Sequence, residues 1–233
     1  FSEKLSRFDQ SSEGLLACNK SKSNLVKHNN DLKDSLNDFA TKVANVKGKL
    51  RSNIANDLAK AFKGANLSVM VDKKSGNVVF QMDKNFRFKK NSYYLNKAAR
   101  NTLKKIIPIY SKVLFGNKKI KDKIAGFNVT GHASPSHKGK YVSPKSSNSK
   151  AYSYNMRLSA QRAASVTNYI FGRKIGKYSF KKFLKEYTSS IGQGFTKPVK
   201  KKGRKVASYG ACGPFDCYSS QTVELIFTLK DDV

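Results

Sequence analysis

Between Leu25 and Phe62 the apolar residues keep returning to one side of the chain. They fall at Leu32, Leu36, Phe39, Val43, Val46, Leu50, Ile54, Leu58 and Phe62, spaced 4-3-4-3-4 and then in steps of four. A strand would bring every second residue to one face, whereas this interval follows the 3.6-residue turn of an α-helix. The chain therefore has to open with a long amphipathic helix. The strict 4-3 part covers fewer than three heptads, short of the roughly three to four that define a coiled coil. Two readings of the helix stand open: one that self-associates into a dimer, and one docked on the domain that follows.

After Gly64 the period changes. Leu67, Val69 and Val71 alternate with polar residues, Asp72-Lys73-Lys74-Ser75-Gly76 reads as a turn, and Val78-Val79-Phe80 follows. This is a hairpin signal, and it divides the chain into a helical segment, 1–64, and a domain, 65–233. A second helix is expected from Ser92 to Leu114, kinked or divided at Pro108, because proline lacks the amide that the helix uses. Ile124 to Thr130 reads as a strand ending at Gly131, and His132 to Lys150 as an unusually long loop, the kind that is commonly functional or disordered. A helix over Tyr152 to Phe171, a short helix before Tyr187, a strand at Ser190 to Gly192 and a last strand from Thr222 to Leu229 complete the order β-β-α-β-α-β-β. The fold class is α+β: one mixed sheet with helices on one face, a β/α sandwich preceded by the long helix.

Forty-six Lys and Arg against fifteen Asp and Glu give a net charge of +31, which favours polyanionic surroundings such as acidic wall polymer, nucleic acid or lipopolysaccharide. No apolar stretch is long enough to span a membrane. The first residue is Phe1 and not Met, as expected of a mature or truncated chain. Cys212 and Cys217 flank Gly213-Pro214-Phe215-Asp216, a spacing open to a short disulfide loop or, with fewer ligands than usual, to a zinc site. Cys18 stands alone. His132 and His137 have no nearby acid or cysteine to complete a metal site, and no nucleophile elbow, carboxylate pair or glycine-rich nucleotide loop is present. The chain reads as non-enzymatic, with no cofactor.

Asn155, Leu158, Ser159, Arg162, Ala163 and Val166 stand at the spacing Asn-x-x-Leu-Ser-x-x-Arg-Ala-x-x-Val. Before them come Phe86-Arg87-Phe88, Tyr94-Leu95 and Val129-Thr130-Gly131-His132; after them come Gly192-x-Gly194, Pro198 and Val223-Glu224. In this order the motifs resemble the OmpA/MotB C-terminal domain family, from about Leu67 to Thr228. The resemblance implies peptidoglycan as partner, with Arg162 holding the carboxylate of diaminopimelate in the stem peptide and His132, Ala133, Ser134, Asn155 and Leu158 lining the site. Asn155 is expected to cap its helix, leaving Arg162 near the positive end of the helix dipole. The competing reading of Arg162 is an internal salt bridge. Two departures stand out: Ser134 occupies the place of the family's aspartate, and Gln221-Thr222 replace its paired arginines.

The family resemblance also implies that Cys212 and Cys217 form a disulfide, and with it a periplasmic or other extracytoplasmic location. A stator subunit resembling MotB or the ZorB type is the parent that fits best, membrane-anchored through a segment upstream of Phe1 and working with inner-membrane partners. An outer-membrane lipoprotein resembling Pal comes second, since Cys18 lacks a lipobox. The alternative function is a polyanion-binding module for nucleic acid or lipopolysaccharide. It would use Lys197 to Lys205 and Arg173 to Lys185, where Tyr178, Phe180 and Phe183 interleave with cations.

Overall fold

A computed structural model describes residues 2–65, 67, 70–72, 78–80, 88, 91–201 and 212–230. The chain separates into two compact units, Phe1–Leu50 and Arg51–Val233. Among the described residues no helix is long and apolar enough to cross a membrane.

Helix α1 is unbroken from Ser2 to Gly64 and so contributes to both units. In the first unit its apolar stripe is open to solvent: Leu32, Leu36, Phe39 and Val46 are all more than half exposed. In the second unit the same stripe continues as Ile54, Leu58 and Phe62, which are buried. Arg51 adds its guanidinium over the Phe227 ring, 5.6 Å from the centroid.

The second unit is built on a five-stranded sheet ordered β1-β2-β7-β3-β6. Its strands are β1 (Met70–Val71), β2 (Val78–Phe80), β3 (Ile124–Gly131), β6 (Thr188–Gly192) and β7 (Val223–Leu229). β3 pairs parallel with β6 and antiparallel with β7, and β2 pairs antiparallel with both β7 and β1. The sheet is mixed, as the sequence pattern predicts. The turn expected at 73–77 lies outside the described residues. Along β7, Val223, Leu225, Phe227 and Leu229 are buried while the residues between them are half-buried, the period-two pattern of a sheet with one face on the core.

Helices α2 (Lys97–Phe115) and α4 (Ser149–Phe171) cover that face. Tyr110 of α2 meets Phe127 of β3 with centroids 5.3 Å apart. α4 lies against β3 and β6 at two glycines. A side-chain carbon on Gly131 would overlap the Ser159 carbonyl oxygen, and one on Gly192 would come within 2.6 Å of the Ala160 nitrogen. Asparagine side chains start both helices: Asn96 Oδ1 accepts from Ala99 N at 2.7 Å and Asn148 Oδ1 from Ala151 N at 3.0 Å. Each cap satisfies an amide that the helix itself leaves unpaired, worth about 1 kcal/mol. Shorter elements fill the connections: α3 (Lys118–Lys121), the hairpin β4 (Ser136–His137) and β5 (Lys140–Tyr141), a 3-10 turn at Arg173–Ile175, and α5 (Lys181–Glu186).

Three expectations change. α2 begins at Lys97 and not Ser92, because Asn96 caps it and Ser92 to Asn96 stay extended or irregular. Of the two outcomes expected at Pro108, a kink or a break, the break does not occur, since α2 runs through it; the carbonyl it deprives of a donor is that of Lys104, an exposed residue whose carbonyl water can serve. The stretch 132–150 is not a plain loop, since it contains the β4–β5 hairpin and the first two residues of α4.

Candidate functional site

The β3 end, the 132–136 turn, the middle of α4 and the segment before β7 converge on Arg162. Its residue is 1% exposed, and its fork is used on three sides. Nε donates to the Ser92 carbonyl at 3.1 Å, Nη1 to the His132 carbonyl at 3.2 Å and Nη2 to Gln221 Oε1 at 2.8 Å. Phe88 lies against it with the guanidinium carbon 5.1 Å from the ring centroid. All three acceptors are neutral, and among the described residues no carboxylate pairs with Arg162. Burial pulls its pKa down to about 10; at neutral pH the group is still a cation. A buried cation surrounded by neutral dipoles is an arrangement that a carboxylate would complete.

Asn155 is not the helix cap. The cap is Asn148, seven residues earlier, so Arg162 sits mid-helix, beyond the first turn where the dipole acts. Asn155 instead donates from Nδ2 to the Ala151 and Ser136 carbonyls, both at 3.0 Å, tying α4 to the hairpin. Ser159 Oγ accepts from Gly194 N at 2.8 Å and donates to the Met156 carbonyl at 2.8 Å. Leu158 and Ala133 are buried, and Ala133 N donates to the Gly194 carbonyl at 2.7 Å. Ser134 is nearly buried, its Oγ 3.2 Å from Ser136 Oγ.

The structure thus gathers His132, Ala133, Ser134, Asn155 and Arg162 at one end of the sheet. A carboxylate does stand beside the turn: Glu224 Oε1 lies 3.4 Å from His132 Nε2. Phe86 and Arg87 lie outside the described residues. Sequence reasoning missed Ser92 and Ser136, which act through backbone carbonyls. No side-chain signal marks a carbonyl, and only their spatial arrangement reveals them.

Cys212 and Cys217 are joined in a disulfide with Cα atoms 5.5 Å apart. The loop they close is part of the same framework. Gly213 has a φ of 55° and lies where a side-chain carbon would be 3.0 Å from the Tyr141 ring of β5, and Gln221 Nε2 donates to the Cys217 carbonyl at 3.0 Å. Among the described residues no group of three or more metal-ligating side chains occurs. His137 packs edge-on against Tyr154 at 5.2 Å.

Of the aromatic residues of the basic stretch, Tyr178 and Phe183 pack against the protein, while Phe180 is exposed. Phe183 meets Phe115 edge-on at 4.9 Å and stacks on Tyr187 at 4.7 Å, and the Tyr178 hydroxyl donates to the Ile170 carbonyl at 3.2 Å. Residues 202–205 of the Lys197 to Lys205 loop lie outside the described residues.

No protein-family model and no curated protein matches the chain. Solved structures do. A MotB-like protein from Desulfovibrio vulgaris is 12% identical, with 77% of this chain and 91% of that one covered and a TM-score of 0.46. The cell wall anchor of the type VI secretion system from Pseudomonas aeruginosa is 19% identical, covering 76% and 99%, with a TM-score of 0.41. The OmpA-like domain of FopA1 from Francisella tularensis is 18% identical, covering 66% and 74%, with a TM-score of 0.35. The chain is similar to these domains, and the functional reading rests on the site's own geometry.

Proposed function

We propose that this chain is a non-catalytic, extracytoplasmic anchor that holds an envelope complex to peptidoglycan through residues 65–233. Residues 1–50 serve as spacer and dimer contact, while 51–64 belong to the compact unit. The observation that carries the reading is Arg162, a buried guanidinium with three neutral acceptors and no paired carboxylate among the described residues. Among the described residues two of its five N–H groups have no acceptor, and a carboxylate of the diaminopimelate stem would take them while competing with Gln221 Oε1. Ser134, which cannot supply charge, contributes a hydrogen bond, and Glu224 offers the negative charge for the ligand's ammonium. His132, Ala133, Asn155 and Leu158 shape the pocket and hold α4 in place. The Cys212–Cys217 disulfide supports an oxidising, periplasmic setting. A MotB-like stator is the parent machine that fits best, with a Pal-like lipoprotein second.

Pull-down of the full chain with purified sacculi tests this. Wild type should co-sediment and Arg162→Ala should not, with soluble stem peptide competing. Equal retention of the two proteins would refute the assignment, and retention lost only to added DNA or lipopolysaccharide would favour polyanion binding.

A further inference from the structure

Residues seven apart on α1 drift by only about 20° per heptad, a drift that a left-handed supercoil takes up, so a heptad column can keep to one face over several turns. Stepping back from Leu50 by four and three alternately extends the stripe to Leu15, about five heptads. One column then holds Leu15, Lys22, Asn29, Leu36, Val43 and Leu50, the a positions. The d positions are Cys18, Leu25, Leu32, Phe39 and Val46. Leu25, Leu36, Phe39 and Val46 are each 66 to 69% exposed, an apolar seam lying open to water within the Phe1–Leu50 unit.

We propose that residues 15–50 pair with the same segment of a second copy as a parallel, in-register, two-stranded coiled coil. This sharpens the dimer reading of α1 and does not depend on wall binding. Heptad geometry makes the seam complementary to itself, so a second copy is the occupant it fits. The area suffices: a helix of this length is about 54 Å long and its contact strip about 10 Å wide, giving roughly 1,100 Å² over both partners against the ~1,000 Å² a specific interface needs.

The polar residues in the seam set the direction. Asn29 at an a position can bond to its own counterpart only when the chains run parallel and in register; a slip of one heptad sets one Asn29 against Leu36 and the other against Lys22. Lys22, one heptad earlier, reaches out along its aliphatic stem. The flanking positions bring Lys42 toward Lys47 and His28 toward Lys33 of the other helix, with Lys42 also bonded to its own Asp38 at 2.7 Å. Lys42 and Lys47 facing each other across the seam repel, so added salt should tighten this dimer, whereas a coil held by ion pairs would loosen.

Cys18 reports the register, because a d position puts the two sulfurs opposite each other. With oxidised glutathione as oxidant, two Cys18 thiols lose their protons and join in one S–S bond, and the reagent takes up the two electrons as two glutathione thiols. The experiment combines sedimentation equilibrium of the full chain across a salt series with non-reducing electrophoresis after this oxidation. Expected are a dimer that tightens with salt and a covalent dimer. The covalent dimer should be lost in Cys18→Ser and not restored when the cysteine is moved to the outer face, Cys18→Ser with Lys20→Cys. The pair Leu32→Glu and Leu36→Glu should give a monomer whose compact unit still shows Arg162-dependent sacculus binding. A dimer without the Cys18 cross-link would overturn the parallel register while leaving dimerisation intact. A monomeric wild type would overturn both and leave wall binding untouched.

Discussion

Arg162 and Cys217 are linked through one side chain. Gln221 accepts from Arg162 Nη2 at 2.8 Å and donates from its own Nε2 to the Cys217 carbonyl at 3.0 Å. The buried cation is therefore positioned by the disulfide loop that precedes β7, and loosening that loop should be felt at the site.

Replacing both cysteines, Cys212→Ser with Cys217→Ser, should cost about 2 kcal/mol, the chain-entropy value for so short a loop. In a unit of this size that lowers Tm by roughly 4–8 °C. Because Gln221 loses its anchor, stem-peptide affinity should fall as well. A calorimetric Tm and a peptide titration check the two effects, and an unchanged affinity would show that Gln221 holds Arg162 without the loop.

Arg162→Met separates binding from folding. The substitution relieves a desolvated charge but leaves two carbonyls and an amide oxygen without their donor, effects of opposite sign and similar size. The Tm should shift by only a few degrees, about 1 kcal/mol in either direction. Sacculus binding should drop by about 10- to 100-fold, the loss of charge-assisted hydrogen bonds worth about 1.5–3 kcal/mol. Global unfolding of this variant in circular dichroism would mark Arg162 as structural and not as a ligand-binding residue.

Gly131 and Gly192 let α4 approach the sheet. Gly131→Ala or Gly192→Ala should destabilise by about 1–3 kcal/mol through overpacking against Ser159 and Ala160. Gly139→Ala, in the β4–β5 turn with open space around it but a φ of 78°, should cost about 1 kcal/mol from backbone strain alone. Chemical denaturation of the three variants would rank them, and a Gly139 effect larger than the other two would contradict the packing account.

Tyr110 makes the protein sensitive to alkali. Burial raises its phenol above the usual range, and among the described residues its hydroxyl reaches only the Leu225 carbonyl, at 3.5 Å. A folded-state pKa above the unfolded value contributes stability that is complete below about pH 10 and is lost as pH rises further. Tyr110→Phe should change stability at pH 7 by less than about 1 kcal/mol and move the alkaline unfolding midpoint upward. An unchanged midpoint, followed by far-ultraviolet dichroism, would exclude Tyr110 as the trigger.

Much of the framework was legible before any coordinates. The 3.6-residue recurrence marks α1, α2 and α4, and the alternation Val223, Leu225, Phe227, Leu229 marks β7, because each element has to bury one face. The start of α4 was not legible. Its first turn is largely exposed apart from Ala151 and carries no apolar rhythm, so the cap passed to Asn155 in the sequence reading when Asn148 holds it. The disulfide follows from the family resemblance, whereas its tie to Gln221 is a matter of distance.

What the sequence determined by itself is which side of each helix and strand seeks cover, since periodicity is a local property of consecutive residues. What covers each side was decided only in three dimensions. Helical periodicity runs from Leu32 to Phe62, yet Leu36 and Phe39 are left in water while Leu58 and Phe62 are buried. Arg162 was visible as a motif residue. Its surroundings were not, because the carbonyls of Ser92 and His132 lie 70 and 30 residues away and reach it only when the chain folds. Backbone carbonyls are alike at every position, so only the tertiary fold selects the two that meet the guanidinium.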